Sequence, residues 1–118
     1  MTVGGPGAAV MYLYRLKPGM GEEYDRLHRA VWPEMLDLID QAGIYDYQIW
    51  RHEEIVIVRL RTQHSFEQAA ATTAASPIQA RWTAYMGHVF AQTEAADGQP
   101  LWLNEVFSYR PGPSEVRR

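Results

Sequence analysis

The sequence predicts an α+β domain of the ferredoxin-like type: a four-stranded antiparallel sheet with helices on one face, in the order βαββαβ. Three observations predict it. Segments rich in β-formers occur at Ala9–Leu16, Ile44–Arg51, Ile55–Arg61 and Leu101–Arg110. Segments with helix-start signals fill the two long intervals between them. The second and third strands are separated by His52-Glu53-Glu54 alone, a link so short that it implies an antiparallel hairpin.

Each element has a local reason. Ala9–Leu16 (AVMYLYRL) runs into Lys17-Pro18-Gly19, a turn signal. Gly21–Ala30 reads as a helix, with Glu22 and Glu23 suited to its positive N-terminus. Pro33 fits the first turn of a following helix, where its missing N–H costs little. Met35, Leu36, Leu38 and Ile39 give that helix an apolar face, and Gly43 ends it. After the hairpin, Ser65-Phe66-Glu67-Gln68 has capping-box spacing and opens an Ala-rich helix to about Ala75. Ser76-Pro77-Ile78-Gln79 repeats the signal and opens a helix expected to reach Gln92. Residues 95–100 form a loop, and Leu101–Arg110 (LWLNEVFSYR) is the closing strand. The Gly/Pro-rich Met1–Ala8 is expected to be disordered and Pro111–Arg118 a flexible tail, which leaves 9–110 as a single domain.

Composition narrows the function. A chain of 118 residues supports one core. A net charge of −3 without a basic cluster argues against a nucleic-acid partner. Zero cysteines exclude disulfides, thiol catalysis and cysteine-ligated zinc. No apolar run is long enough for a transmembrane helix, and Met1–Ala8 lacks the features of a secretion signal. The expectation is a soluble, cytoplasmic protein. His28, His52, His64 and His88 share no metal-ligand spacing, and His52-Glu53-Glu54 is not the H-E-x-x-H helix. There is no Gly-rich phosphate loop after a strand and no G-x-S-x-G elbow, so neither a metal nor a nucleotide cofactor is expected. Tyr12, Tyr14, Tyr45, Tyr47, Trp50, Trp102, Phe107 and Tyr109 put more aromatic surface on the strands than one helical layer covers. Such an excess marks an interface or a ligand cavity, and a homodimer is expected.

One pair stands out chemically. Tyr24 and His28 are four apart on a helix and therefore neighbours on one face. Both exchange protons, and histidine titrates nearest physiological pH. Trp32 follows one step further along, and Arg81-Trp82 supplies a second aromatic beside a cation. Spacing alone also fits a Tyr and a His at the border of an amphipathic helix.

The run Glu22-Glu23-Tyr24-Asp25-Arg26-Leu27-His28-Arg29-Ala30-Val31-Trp32-Pro33-Glu34-Met35 resembles the E-E-Y-x-x-x-H-x-x-x-W-P-E motif of the L-rhamnose mutarotase family. Arg81-Trp82-Thr83-Ala84-Tyr85-Met86 is similar to that family's R-W-W-x-Y-M, and Asn104-Glu105-Val106-Phe107 to its closing Q-E-V-F. The resemblance implies a dimeric α/β barrel and a cofactor-free isomerase that interconverts the α and β anomers of a 6-deoxy-hexopyranose by acid/base ring opening. It implies that His28 is the acid/base, Tyr24 an active-site tyrosine and Trp82 a sugar-contacting ring. Beside these, Trp32 is expected to give the apolar sugar face a second ring, Arg81 to hold sugar hydroxyls or only the helix packing, and Thr83 to take part in selecting the sugar. The family's second tryptophan falls on Thr83, which exchanges a stacking surface for space and a hydroxyl and so bears on which sugar is taken. Two other classes remain open: a cofactor-independent cyclase or monooxygenase on the same barrel, and a non-catalytic sugar-binding domain.

Overall fold

Strict alternation along Ile55–Thr62 decides how the sheet is laid down: Val56, Val58, Leu60 and Thr62 are buried, while the residues between them stay partly exposed. The computed structural model describes residues 5–111. Its elements are β1 (Ala9–Leu16), α1 (Gly21–His28), α2 (Pro33–Gln41), β2 (Ile44–His52), β3 (Ile55–Thr62), α3 (Phe66–Ala74), α4 (Pro77–Met86), β4 (Phe90–Gln92) and β5 (Leu101–Trp102), with a 3-10 turn at Gly87–Val89. The sheet order is β2-β3-β1-β4, with β5 also on β1, and every pairing is antiparallel. This is the expected split βαβ order. The core lies between the sheet and the helices, where Val56, Val58 and Leu60 meet Leu27, Leu38, Met86 and Val89. Each such side chain contributes about 1.5–3 kcal/mol by leaving water.

Local chemistry explains the boundaries. Trp32 is extended (φ −61°, ψ 139°), as the residue before a proline must be, so Pro33 ends one helix and starts the next. Gly43, at φ 76°, makes the left-handed stop after α2. The Ser65 and Ser76 hydroxyls accept hydrogen bonds from the backbone N–H groups of Gln68 and Ile78, which caps α3 and α4.

Two expected elements differ. The helix from Ser76 stops at Met86 instead of reaching Gln92, and Phe90–Gln92 is a strand. Its sequence is compatible with either state. Packing decides, because Leu16 pairs with Phe90 and Lys17 N–H donates to the Val89 carbonyl at 2.8 Å. The closing strand over Leu101–Arg110 shrinks to two residues, and the sheet has five strands rather than four. The β1 edge is already shared by β4 at one end, and past Trp102 the only further bond to it runs from Leu103 N–H to the Met11 carbonyl. Val106, Phe107 and Tyr109 are left 94%, 80% and 70% exposed.

The distribution of aromatics also differs. Tyr12 and Tyr14 alternate with Leu13 and lie on the helix side with Trp102 and Phe66. Cross-strand partners share a face, so the other side carries the row Trp50, Ile57, Leu13 and Leu101, aliphatic but for one indole. Of the expected disordered segment 1–8, residues 1–4 lie outside the described residues. Residues 5–8 make a turn, in which Gly7 N–H donates to the Thr62 carbonyl at 2.8 Å. The expected tail at 111–118 lies outside them except for Pro111.

Thr62 is 2% exposed and its hydroxyl has no hydrogen-bond partner among the described residues. Replacing the hydroxyl by a methyl removes the unmet desolvation cost, so Thr62→Val is expected to stabilise the protein by about 1 kcal/mol in urea unfolding. Loss of stability would mean that the hydroxyl is satisfied.

Candidate active site

Between the sheet and the helices lies a cavity of about 380 Å³. The helix α1 delivers Tyr24 and His28 to it, and several contacts fix that helix. Arg51 on β2 forms a two-pronged ion pair with Asp25, at 2.8 and 2.7 Å. The same guanidinium donates to the Glu53 carbonyl and occupies the space that a Cβ at Gly21 would need, so Gly21 lets the helix approach β2. Glu23 accepts from Arg26 and is 3.0 Å from His88 Nε2, which ties α1 to the turn after α4. The Arg26 and His88 bonds hold the Glu23 carboxyl down at about 2.

Tyr24 and His28 are neighbours on one face of α1, as the four-residue spacing predicts, but the hydrogen bond of His28 goes to the backbone rather than to the Tyr24 hydroxyl. Its Nδ1 lies 3.0 Å from the Tyr24 backbone carbonyl, and the two rings stack with centroids 4.2 Å apart. A carbonyl oxygen only accepts, so Nδ1 carries the proton and Nε2 of the neutral ring carries the lone pair. Nε2 has no hydrogen-bond partner among the described residues. Burial pushes the His28 pKa below its ordinary value, against smaller upward pulls from the Tyr24 carbonyl bond and the Asp25 charge. The ring is therefore neutral at pH 7. Burial raises the Tyr24 hydroxyl well above its ordinary value, with the Tyr47 and Tyr14 phenols adding to the rise, so it stays protonated and can donate.

Helix α4 closes the opposite side. The Trp82 indole stands perpendicular to the His28 ring at 5.9 Å and to Trp32 at 5.0 Å, and Tyr85 touches both tryptophans. Thr83 also lines the cavity, and its hydroxyl accepts from Gln79 Nε2 at 3.0 Å. The cavity thus gathers Tyr24, His28, Trp82 and Thr83. Trp32 supports Trp82 from behind and does not line it. Arg81 does not join: it is exposed, because with Trp82 turned inward the preceding residue lies about 100° around the helix.

Other lining residues were not singled out as site residues. Tyr12 and Tyr14 enter from β1, and their parity with buried Val10 and Leu16 is the signal that places them inside. Tyr47 enters because β2 has an irregularity between Tyr45 and Gln48, with Asp46 at φ 51° held by Arg59, Arg61 and Gln48. Nothing in the sequence announces it. Gln79, four residues before Thr83, follows from helical spacing.

This geometry offers a neutral imidazole with one free nitrogen, a protonated phenol stacked on it and an indole wall. Such a set can move a proton on a small ligand that presents hydroxyls and an apolar face. Among the described residues no group of three His, Cys, Asp or Glu side chains converges as a metal site would require.

The family model described as L-rhamnose mutarotase matches residues 9–109. The chain is 36% identical over 87 residues to the L-rhamnose mutarotase of Sinorhizobium fredii, covering 74% of this chain and 82% of that protein. It is 35% identical over 96 residues to that of Burkholderia orbicola (78% and 86%) and 30% identical over 92 residues to that of Phocaeicola vulgatus (78% and 88%). In architecture it is similar to the crystal structure of an L-rhamnose mutarotase from Formosa agariphila, with a TM-score of 0.67 and 20% identity over 87% of this chain and 99% of the other.

The His28 assignment predicts two NMR observables. The imidazole titrates with a midpoint below about 6.5, and ¹⁵N shifts at pH 7 report the Nδ1–H tautomer. Between that midpoint and 6.5 the unfolded chain takes the proton first, so this group's contribution to stability falls as pH drops through the window. A midpoint above 6.5, or an Nε2–H tautomer, contradicts the assignment.

Proposed function

This chain belongs to the L-rhamnose mutarotase family, and from that premise we propose that it interconverts the α and β anomers of L-rhamnose-type hexopyranoses by acid/base ring opening and closure. The observation that carries the proposal is the His28 ring, fixed at Nδ1, unpartnered at Nε2 and lining the same cavity as Trp82. Mutarotation moves one proton between two oxygens on the same carbon. Neutral His28 accepts the proton of the anomeric hydroxyl at Nε2. The C1=O bond forms as the C1–O5 bond breaks, and the resulting imidazolium returns the proton to O5. Rotation about C1–C2 presents the other carbonyl face, and the steps run in reverse. Proton and electrons balance with no cofactor.

Tyr24 stays a phenol and donates a hydrogen bond that orients the sugar. The apolar face of the pyranose lies against Trp82, which Trp32 and Tyr85 hold upright. Water already performs the reaction slowly, so a general acid–base contribution of about 10²–10⁴-fold is useful.

The active form is a homodimer in the cytoplasm. A reducing compartment suits a chain with no cysteine. The row Trp50–Ile57–Leu13–Leu101 on the uncovered sheet face is the surface that a second copy covers, and the exposed Val106, Phe107 and Tyr109 find apolar partners there.

Two experiments test this reading. Saturation-transfer NMR on equilibrated L-rhamnose detects anomer exchange without a coupling enzyme. Wild-type protein is expected to accelerate exchange, and His28→Ala to lose about 10²–10⁴-fold of it. No acceleration by wild type contradicts the activity, and an unimpaired His28→Ala contradicts the assignment. For the assembly, light scattering after gel filtration is expected to give a dimer, and Trp50→Glu a folded monomer.

A further inference from the structure

The cavity has a polar sector that anomer exchange does not use. Helix α3 contributes Thr73, α4 contributes Gln79 and Thr83, and the segment after β4 contributes Glu94. The Gln79–Thr83 bond spends one amide proton and one lone pair of the hydroxyl. The Gln79 carbonyl and the Thr83 O–H stay free to bond a ligand. The Glu94 carboxylate makes no ion pair among the described residues. Among the described residues no lysine or arginine lines the cavity, and Glu94 is the one carboxylate there, beside a neutral His28. Such a sector repels phosphorylated sugars and uronates. It offers both donors and acceptors to a neutral hydroxyl group.

A 6-deoxy sugar carries a methyl group on C5, which wants an apolar wall. Thr83 and Glu94 are exposed at the rim of the cavity and Gln79 is half-buried. A methyl placed against them makes no hydrogen bond, whereas a hydroxymethyl can accept from the Thr83 O–H and donate to the Gln79 carbonyl or the Glu94 carboxylate. We propose that Thr83, Gln79 and Glu94 form a specificity subsite for the exocyclic hydroxyl of a hexopyranose, so that the protein prefers the 6-hydroxylated sugar of L-rhamnose ring configuration to its 6-deoxy counterpart. The proposal rests on the anomer-exchange reading and extends it to the substrate. Thr83 is the determining residue, since a large side chain there fills the sector and covers Gln79.

The test compares L-mannose, which differs from L-rhamnose only by the hydroxyl on C6, with L-rhamnose itself. Exchange constants per active site are measured by saturation-transfer NMR at subsaturating sugar. Wild type is expected to favour L-mannose by about fivefold or more, the effect of one net hydrogen bond. Thr83→Trp and Gln79→Leu are expected to bring the ratio to one or below. The ratio is internal to each variant, so partial unfolding cancels. If L-rhamnose is accelerated but L-mannose is not favoured, the subsite is wrong and the activity stands. If the ratio survives in both variants, the subsite lies elsewhere. If neither sugar is accelerated, both proposals fail.

Discussion

A single hydrogen bond, from His28 Nδ1–H to the Tyr24 carbonyl at 3.0 Å, sets the chemistry available to this protein. It assigns the tautomer, orients the ring, and leaves Nε2 as the group able to take a proton. The bond is local to one turn of α1, so it is only as well placed as the helix. Asp25–Arg51 holds that helix against β2, and Glu23 with His88 holds it against the turn after α4. These pairs are partly open to solvent and add modest stability on their own. Their use is geometric, since each ties an edge of α1 to an element whose place the core fixes.

The fold supplies the rest by dividing one cavity among its elements. Strand parity sends Tyr12 and Tyr14 inward, the irregularity at Asp46 adds Tyr47, and α4 presents Trp82 and Thr83 side by side. Aromatic faces and a neutral imidazole line one part of the cavity, and hydroxyl, amide and carboxylate groups line another. The same burial that lowers the His28 pKa raises that of Tyr24, which separates the two groups into a base and a donor.

Much of the fold is legible in the sequence because its signals are local. The two serine caps, Pro33 at a helix start, Gly43 at a helix end and the short β2–β3 link each act over a few residues. The Tyr24–His28 spacing is legible for the same reason, since helical periodicity makes them neighbours whatever surrounds them. The differences arise where distant contacts decide. Phe90–Gln92 becomes a strand because β1 offers it an edge, and most of Leu101–Arg110 is no strand because its bonding to β1 ends at Leu103. Spacing could not reveal that His28 bonds a backbone carbonyl rather than a phenol, because residues four apart leave both options open. Nor could a motif tell that Arg81 faces solvent, which depends on which side of α4 meets the cavity. Trp82 and Thr83 were legible as a pair only through their likeness to a family pattern.

The most direct measurement is the distance from His28 Nε2 to the oxygens of a bound sugar, in a crystal structure of the protein soaked with equilibrated L-rhamnose or L-mannose. The account predicts that O1 or O5 lies within hydrogen-bond distance of Nε2, with the apolar face of the ring on Trp82. A sugar bound in the cavity with its anomeric centre away from Nε2, or with Nε2 engaged by another protein group, would contradict it.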